Sequence, residues 1–118
     1  DPSGARLLAK PERDAAERNP KNADLQTAAG DSYKALGAYD DALNYYRRAE
    51  SLYTSDFKYK ARLAQGRCLA LQGKFEDARR KLATDFRSLS GYADEADFQE
   101  MKADPRYRHL FEPESNGK

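Results

Sequence analysis

Few side chains in this 118-residue sequence have the chemistry of a reactive centre, and their spacing keeps them apart. There is one histidine, His109, between Arg108 and Leu110, and one cysteine, Cys68, between Arg67 and Leu69. A metal site or an acid–base relay needs such groups with partners at fixed spacing, and no second His or Cys supplies them. Cys68 reads as a small packed hydrophobe, and a lone cysteine closes no internal disulfide, which leaves the compartment open. The carboxylate pairs Asp40-Asp41, Glu76-Asp77 and Asp94-Glu95 resemble acid pairs, but each opens an expected helix. There a carboxylate meets the positive end of the helix dipole, which explains the pairs without catalysis. The serines form no nucleophile elbow and the glycines no phosphate loop. The sequence reads as a non-enzyme with no catalytic residue, cofactor or metal.

The elements behind these residues are helical throughout. Pro11 suits a first helical position, so a helix is expected from Pro11 to Arg18, closed by the turn Asn19-Pro20-Lys21-Asn22. Leu7 and Leu8, ahead of it, are placed to close an exposed helix face. A second helix runs from an Asp24 cap to Leu36 and stops at Gly37. A third starts at Asp40-Asp41 and carries Leu43, Tyr46 and Ala49 on one side. Ser55-Asp56 is expected to cap a fourth, Phe57 to Gln72, stopped by Gly73. Phe75, Ala78, Leu82 and Phe86 line one face of a fifth, Phe75 to Asp85. After the Ser90-Gly91 break come a short sixth helix, Asp94 to Lys102, and a final turn after Asp104-Pro105 whose Tyr107, Leu110 and Phe111 pack back as a cap. The tail 112–118 is expected to fray. No stretch alternates with the period of a strand, and no apolar run approaches the roughly 18 residues a spanning helix needs.

Length fits one domain, residues 1–118. The chain begins at Asp1 without a charged-then-apolar leader, which suggests an excised fragment or a processed chain. A net charge of +1 argues against a general nucleic-acid binder, yet the charge is uneven. Residues 47–81 hold ten basic side chains against four acidic ones, and residues 85–104 hold six acidic against two basic. Solvated helix faces account for this; the alternative is an acidic-partner or nucleic-acid surface along the basic stretch.

Two stretches superpose at an offset of 36 residues. Gly30 meets Gly66, Tyr33 meets Leu69, Gly37 meets Gly73, Tyr39 meets Phe75, Ala42 meets Ala78 and Tyr46 meets Leu82. Self-similarity at such a period marks a helical repeat array. With Ala49 added, the first unit resembles the tetratricopeptide repeat family. Gly30, Ala42 and Ala49 let two helices approach, Tyr33, Tyr39 and Tyr46 fill the space between them, and Gly37 ends the first helix. The second unit departs at Asp85, where a small residue is usual, and the first at Thr54, where the family has proline. The likeness covers residues 23–86, in units 23–56 and 59–86. Pro11–Pro20 reads as the second helix of a preceding unit, and 92–111 as a closing segment. The expected fold is therefore all-α: about two helix-turn-helix units with terminal capping helices.

The resemblance implies a binding or scaffold role. The first helices of successive units would line a concave groove with Asp24, Thr27, Asp31, Lys34 and Ala35, then Lys60, Leu63, Arg67, Ala70 and Leu71. The binding candidates are Asp31, Lys34, Lys60, Leu63, Arg67 and Leu71. Thr27 and Asp31 stand where chaperone-binding members have a lysine and an asparagine, so that carboxylate clamp is missing. The partner implied is another protein or peptide, met through the groove or an end face; self-association or packing within a longer chain stays open. Lys60 and Arg67, two helical turns apart, make a basic stripe beside Leu63 and Leu71 that suits an acidic, apolar peptide or helix.

Overall fold

The computed structural model describes residues 2–113, and the part of the expected tail fraying that falls on 114–118 lies outside them. The described residues form seven α-helices and four 3-10 turns, with no strand among them. The helices are α1 (Pro2–Leu8), α2 (Lys10–Arg18), α3 (Ala23–Ala35), α4 (Tyr39–Leu52), α5 (Lys58–Leu71), α6 (Phe75–Ala83) and α7 (Gln99–Ala103). The all-helical class read from the sequence holds.

Each helix packs chiefly on its neighbours in the chain, from α2 through α6. The result is an elongated body of 53 × 33 × 19 Å with a radius of gyration of 15.2 Å. A compact domain of this length would come to about 13.5 Å. The core is accordingly a ribbon, built on small residues: Ala9, Ala16, Ala29, Ala42, Ala49, Ala61, Ala70 and Ala78 are all fully buried.

The pairs α3–α4 and α5–α6 are built alike. A Cβ added at Gly30 would sit 2.6 Å from the Tyr46 ring, and one added at Gly66 would sit 2.5 Å from Leu82. Both contacts span sixteen residues, so the same close approach recurs at the 36-residue offset. Each first helix also ends in the same way. Ala38 N–H donates to the Tyr33 carbonyl and Lys74 N–H to that of Leu69, both at 2.9 Å. These bonds need a left-handed residue between, which Gly37 (φ +77°) and Gly73 (φ +76°) provide.

Several local expectations are revised. Asn22, not Asp24, caps α3, its Oδ1 accepting from Leu25 N–H at 3.0 Å. Asp24 lies inside the first turn and accepts from the Tyr53 hydroxyl instead. Ser55-Asp56 makes no side-chain cap; Ser55–Phe57 is a 3-10 turn leading into α5. Thr54 holds φ −65°, the angle proline would impose, so the missing proline costs no backbone geometry. Asp85 reaches Arg62 of α5 at 2.9 Å, which gives the departure from a small residue a role. At the front, α1 and α2 form one helix bent at Ala9, because Pro11 has no N–H for the Leu7 carbonyl. Ala5 and Ala9 face the core while Leu7 and Leu8 stay 72% and 70% exposed, so they close no face. The sixth helix shrinks to a 3-10 turn, Ala96–Phe98, followed by α7.

Residues after α6 fold back over α5 and α6. Phe98, Met101 and Phe111 are buried with Leu63, Ala70, Ala78, Leu82 and Leu89. Leu89 N–H donates to the Leu110 carbonyl at 2.8 Å, and Tyr107 meets Phe75 edge-on.

Two outcomes follow. Gly30→Ala and Gly66→Ala each force a methyl against a fully enclosed side chain and should destabilise by roughly 1–3 kcal/mol. Gly91→Ala, with nothing within 4 Å, should be far milder; thermal melts compare the three. Cys68 is fully buried, and burial pushes its thiol up to about 12. A thiol reagent at pH 8 should therefore leave native chain unmodified over the time in which it titrates unfolded chain completely.

Candidate functional site

The six candidate binding residues lie on two helices, Asp31 and Lys34 on α3 and Lys60, Leu63, Arg67 and Leu71 on α5. The structure brings Lys34, Arg67 and Leu63 together beneath one strip of the same chain. Arg67 grips Glu95 with two bonds, Nε at 3.0 Å and Nη2 at 2.8 Å, and Lys34 Nζ meets Asp97 at 2.7 Å. The Arg67 guanidinium also lies 5.8 Å from the centre of the Tyr92 ring. Leu63 joins the cluster that encloses Phe98 and Met101.

The strip is shaped by these contacts. Glu95 has extended backbone (φ −73°, ψ 135°), which breaks the expected helix and lets Glu95 and Asp97 face two different helices. Gln99 and Lys102 fasten its carbonyls, Gln99 Nε2 donating to Ala93 and Glu95 and Lys102 Nζ to Ala93, at 2.8–2.9 Å.

The other three candidates have other neighbours. Asp31 accepts from the Tyr46 hydroxyl at 2.5 Å, and burial together with this acceptor raises the Tyr46 pKa. Lys60 sits 5.0 Å from the centre of the Phe57 ring, beside an open groove of about 410 Å³ that Asp24, Tyr53 and Phe57 also line. Leu71 is half-buried at the end of α5. Sequence reading missed Tyr92, Glu95, Asp97 and Phe98 as occupants of this face. The available signal was the acidic excess of 85–104 opposite the basic excess of 47–81.

Most of that basic excess is committed within the chain. Glu50 is its main acceptor: Arg62 Nε (3.1 Å), Lys81 Nζ (2.7 Å) and Gln65 Nε2 (2.7 Å) converge on its carboxylate, and Lys58 Nζ takes its carbonyl. Arg79 and Arg80 pair with Glu76, and Arg48 pairs with Glu17. A phosphate backbone would have to compete with these carboxylates. No three His, Cys, Asp or Glu side chains among the described residues stand close enough to hold a metal ion, and His109 is exposed. No described helix is long and apolar enough to cross a membrane.

Burial works to raise the Glu50 pKa, but the bonds from Lys81, Gln65 and Arg62 outweigh it and hold the carboxyl below its ordinary 4.5. A lowered folded value stabilises above the unfolded pKa and is lost as pH falls through the folded one. Glu50→Gln should therefore cost about 1–2 kcal/mol at pH 7 and make the acid-side decline in melting temperature shallower. Melts from pH 7 to pH 3 on both chains read this out.

Comparison of the chain with family models, with curated proteins and with solved structures finds no match.

Proposed function

We propose that the chain is a tetratricopeptide-like interaction module that holds a segment of a partner protein against the face formed by α3 and α5. The repeat reading is supported by the paired close approaches at Gly30 and Gly66 and by the matching helix ends at Gly37 and Gly73. The binding reading rests on one observation: Lys34 and Arg67, from two successive first helices, converge on a single short peptide strip and ion-pair with both of its inward carboxylates. A surface that orders a peptide in this way has the chemistry of peptide recognition, with charges fixing register and an apolar side chain entering beside them. The strip in place is the chain's own, and the same face extends past it to Lys60 and the exposed Phe57 ring.

The test locates the partner on the molecule. A photo-crosslinking residue is placed at position 60 on this face, or at position 80, where Arg80 is 69% exposed on α6. Chain returned to its native source should crosslink a defined protein from position 60 and not from position 80. Reversing Lys60 and Arg67 to Glu should weaken that protein's binding at least tenfold, about 1.4 kcal/mol, while reversing Arg79 and Arg80 matters less. Crosslinks from position 80 alone, or loss of binding in the Arg79/Arg80 variant alone, would move the site to the other surface.

A further inference from the structure

The way this face is filled identifies what it selects. Glu95 and Asp97 are two residues apart in sequence, and their carboxylates occupy Arg67 and Lys34 while keeping partial contact with water. The Arg67 and Glu95 side chains are 28% and 37% exposed, and those of Lys34 and Asp97 26% and 24%. Neither pair is closed off from solvent, so both are screened and open to exchange with another carboxylate. The strip itself is fixed by other means: Phe98 and Met101 are fully buried, and Gln99 and Lys102 hold its carbonyls. Its two carboxylates can therefore swing off their cations while the backbone and the cap stay in place.

Beyond the strip the cationic line continues to Lys60. Lys60 lies seven residues before Arg67 on α5, two turns or about 10 Å along the same side. It has no ion pair among the described residues, and below it the Phe57 ring is 48% exposed beside the open groove. The carboxylates of α3 on this side are already engaged by phenols, Asp31 by Tyr46 and Asp24 by Tyr53.

We propose that Lys34, Arg67 and Lys60 form a carboxylate-reading track for an acidic peptide segment of a partner protein, with Glu95 and Asp97 as resident stand-ins that the segment replaces. This rests on the interaction-module reading and adds its ligand class and its built-in competition. A partner segment would bring carboxylates at alternate residues to Arg67 and Lys34, a further one to Lys60, and an apolar side chain to the groove beside Phe57. A nucleic-acid strand offers phosphates to the same cations, but the site is already shaped around a peptide, with Phe98 entering beside the paired carboxylates.

The experiment uses the full chain and a fluorescein-labelled synthetic peptide reproducing residues 92–98, with a single-stranded oligothymidylate of equal charge as the second probe. Glu95→Gln with Asp97→Asn keeps the shape of both side chains and removes both charges. Anisotropy titration should show this variant binding the peptide about tenfold more tightly than the unaltered chain. Adding Lys34→Gln and Arg67→Gln should abolish the gain. Should the double variant melt below the working temperature, Glu95→Gln alone carries the same test, with a gain of about threefold. Equal peptide affinity of the neutralised and unaltered chains would overturn the stand-in role, as would a gain that survives the loss of Lys34 and Arg67. Tighter binding of the oligothymidylate than of the peptide would overturn the ligand class. None of these results changes where a native partner crosslinks, so failure here is distinguishable from failure of the interaction reading.

Discussion

Helix separation governs this molecule. Gly30 lies against the Tyr46 ring and Gly66 against Leu82, at distances that leave no room for a methyl group. Since Tyr46 and Leu82 are themselves enclosed, neither can yield, and the two helices of each pair are held at one spacing. The small buried residues on α2, α4, α5 and α6 continue this pattern from one end of the body to the other. A core made by close approach needs few large side chains, which is how a chain with 35% charged residues and mean hydropathy of −1.03 still encloses two adjoining buried clusters. It also makes the core thin, so most side chains remain within reach of water and of each other's charges.

That thinness explains the electrostatics. With helices packed along a ribbon, long basic side chains at one seam reach acids on the next helix. Arg62 ties α5 both to Glu50 of α4 and to Asp85 after α6, and Lys81 of α6 returns to Glu50. Three helices thus share one small network, with no charge fully removed from solvent. Such pairs contribute modestly to stability but fix rotation and register between neighbouring helices. The same logic operates between Arg67 and Glu95 and between Lys34 and Asp97, where two pairs span from the strip to α5 and α3.

What the sequence disclosed and what it concealed divide along sequence separation. The Gly30–Tyr46 and Gly66–Leu82 contacts and the glycine stops are local and carried by residue types with few substitutes, so both helix pairs could be read from a 36-residue offset. The path of residues 89–111 depends on partners far away, Arg67 for Glu95, Lys34 for Asp97 and Phe75 for Tyr107, and no periodicity encodes those choices. Hence the sixth helix was drawn too long: Asp94-Glu95 satisfies the pattern of a helix start, but Glu95 takes extended backbone and the residues after it are held by the distant core that encloses Phe98 and Met101. At Asn22 and Asp24 the competition was closer, since both residue types cap helices. Tyr53, far along the chain, takes Asp24 and leaves the cap to Asn22. For the candidate site, charge type was legible and occupancy was not. The basic stripe and the acidic segment were both visible, while their meeting required the fold.

The two ends of the body follow from the same constraint with opposite results. Beyond α6 the open side of the last pair carries Leu82, Leu63 and Ala70, and a face this apolar has to be covered. Phe98, Met101 and Phe111 cover it, and they carry the acidic strip across the face of α5 as far as α3. The first end differs because α1 and α2 turn Ala5, Ala9 and Ala16 into the cluster built on α3 and α4, and alanines need only a shallow contact to be enclosed. No comparable fold-back is required there, and the bend at Ala9 leaves Leu7 and Leu8 pointing outward. The asymmetry of the ends therefore determines which surface the acidic strip covers. Closing the last pair places two carboxylates on the cations of α3 and α5, while Lys60 and the groove beside Phe57, one stretch further along α5, remain beyond the reach of the strip.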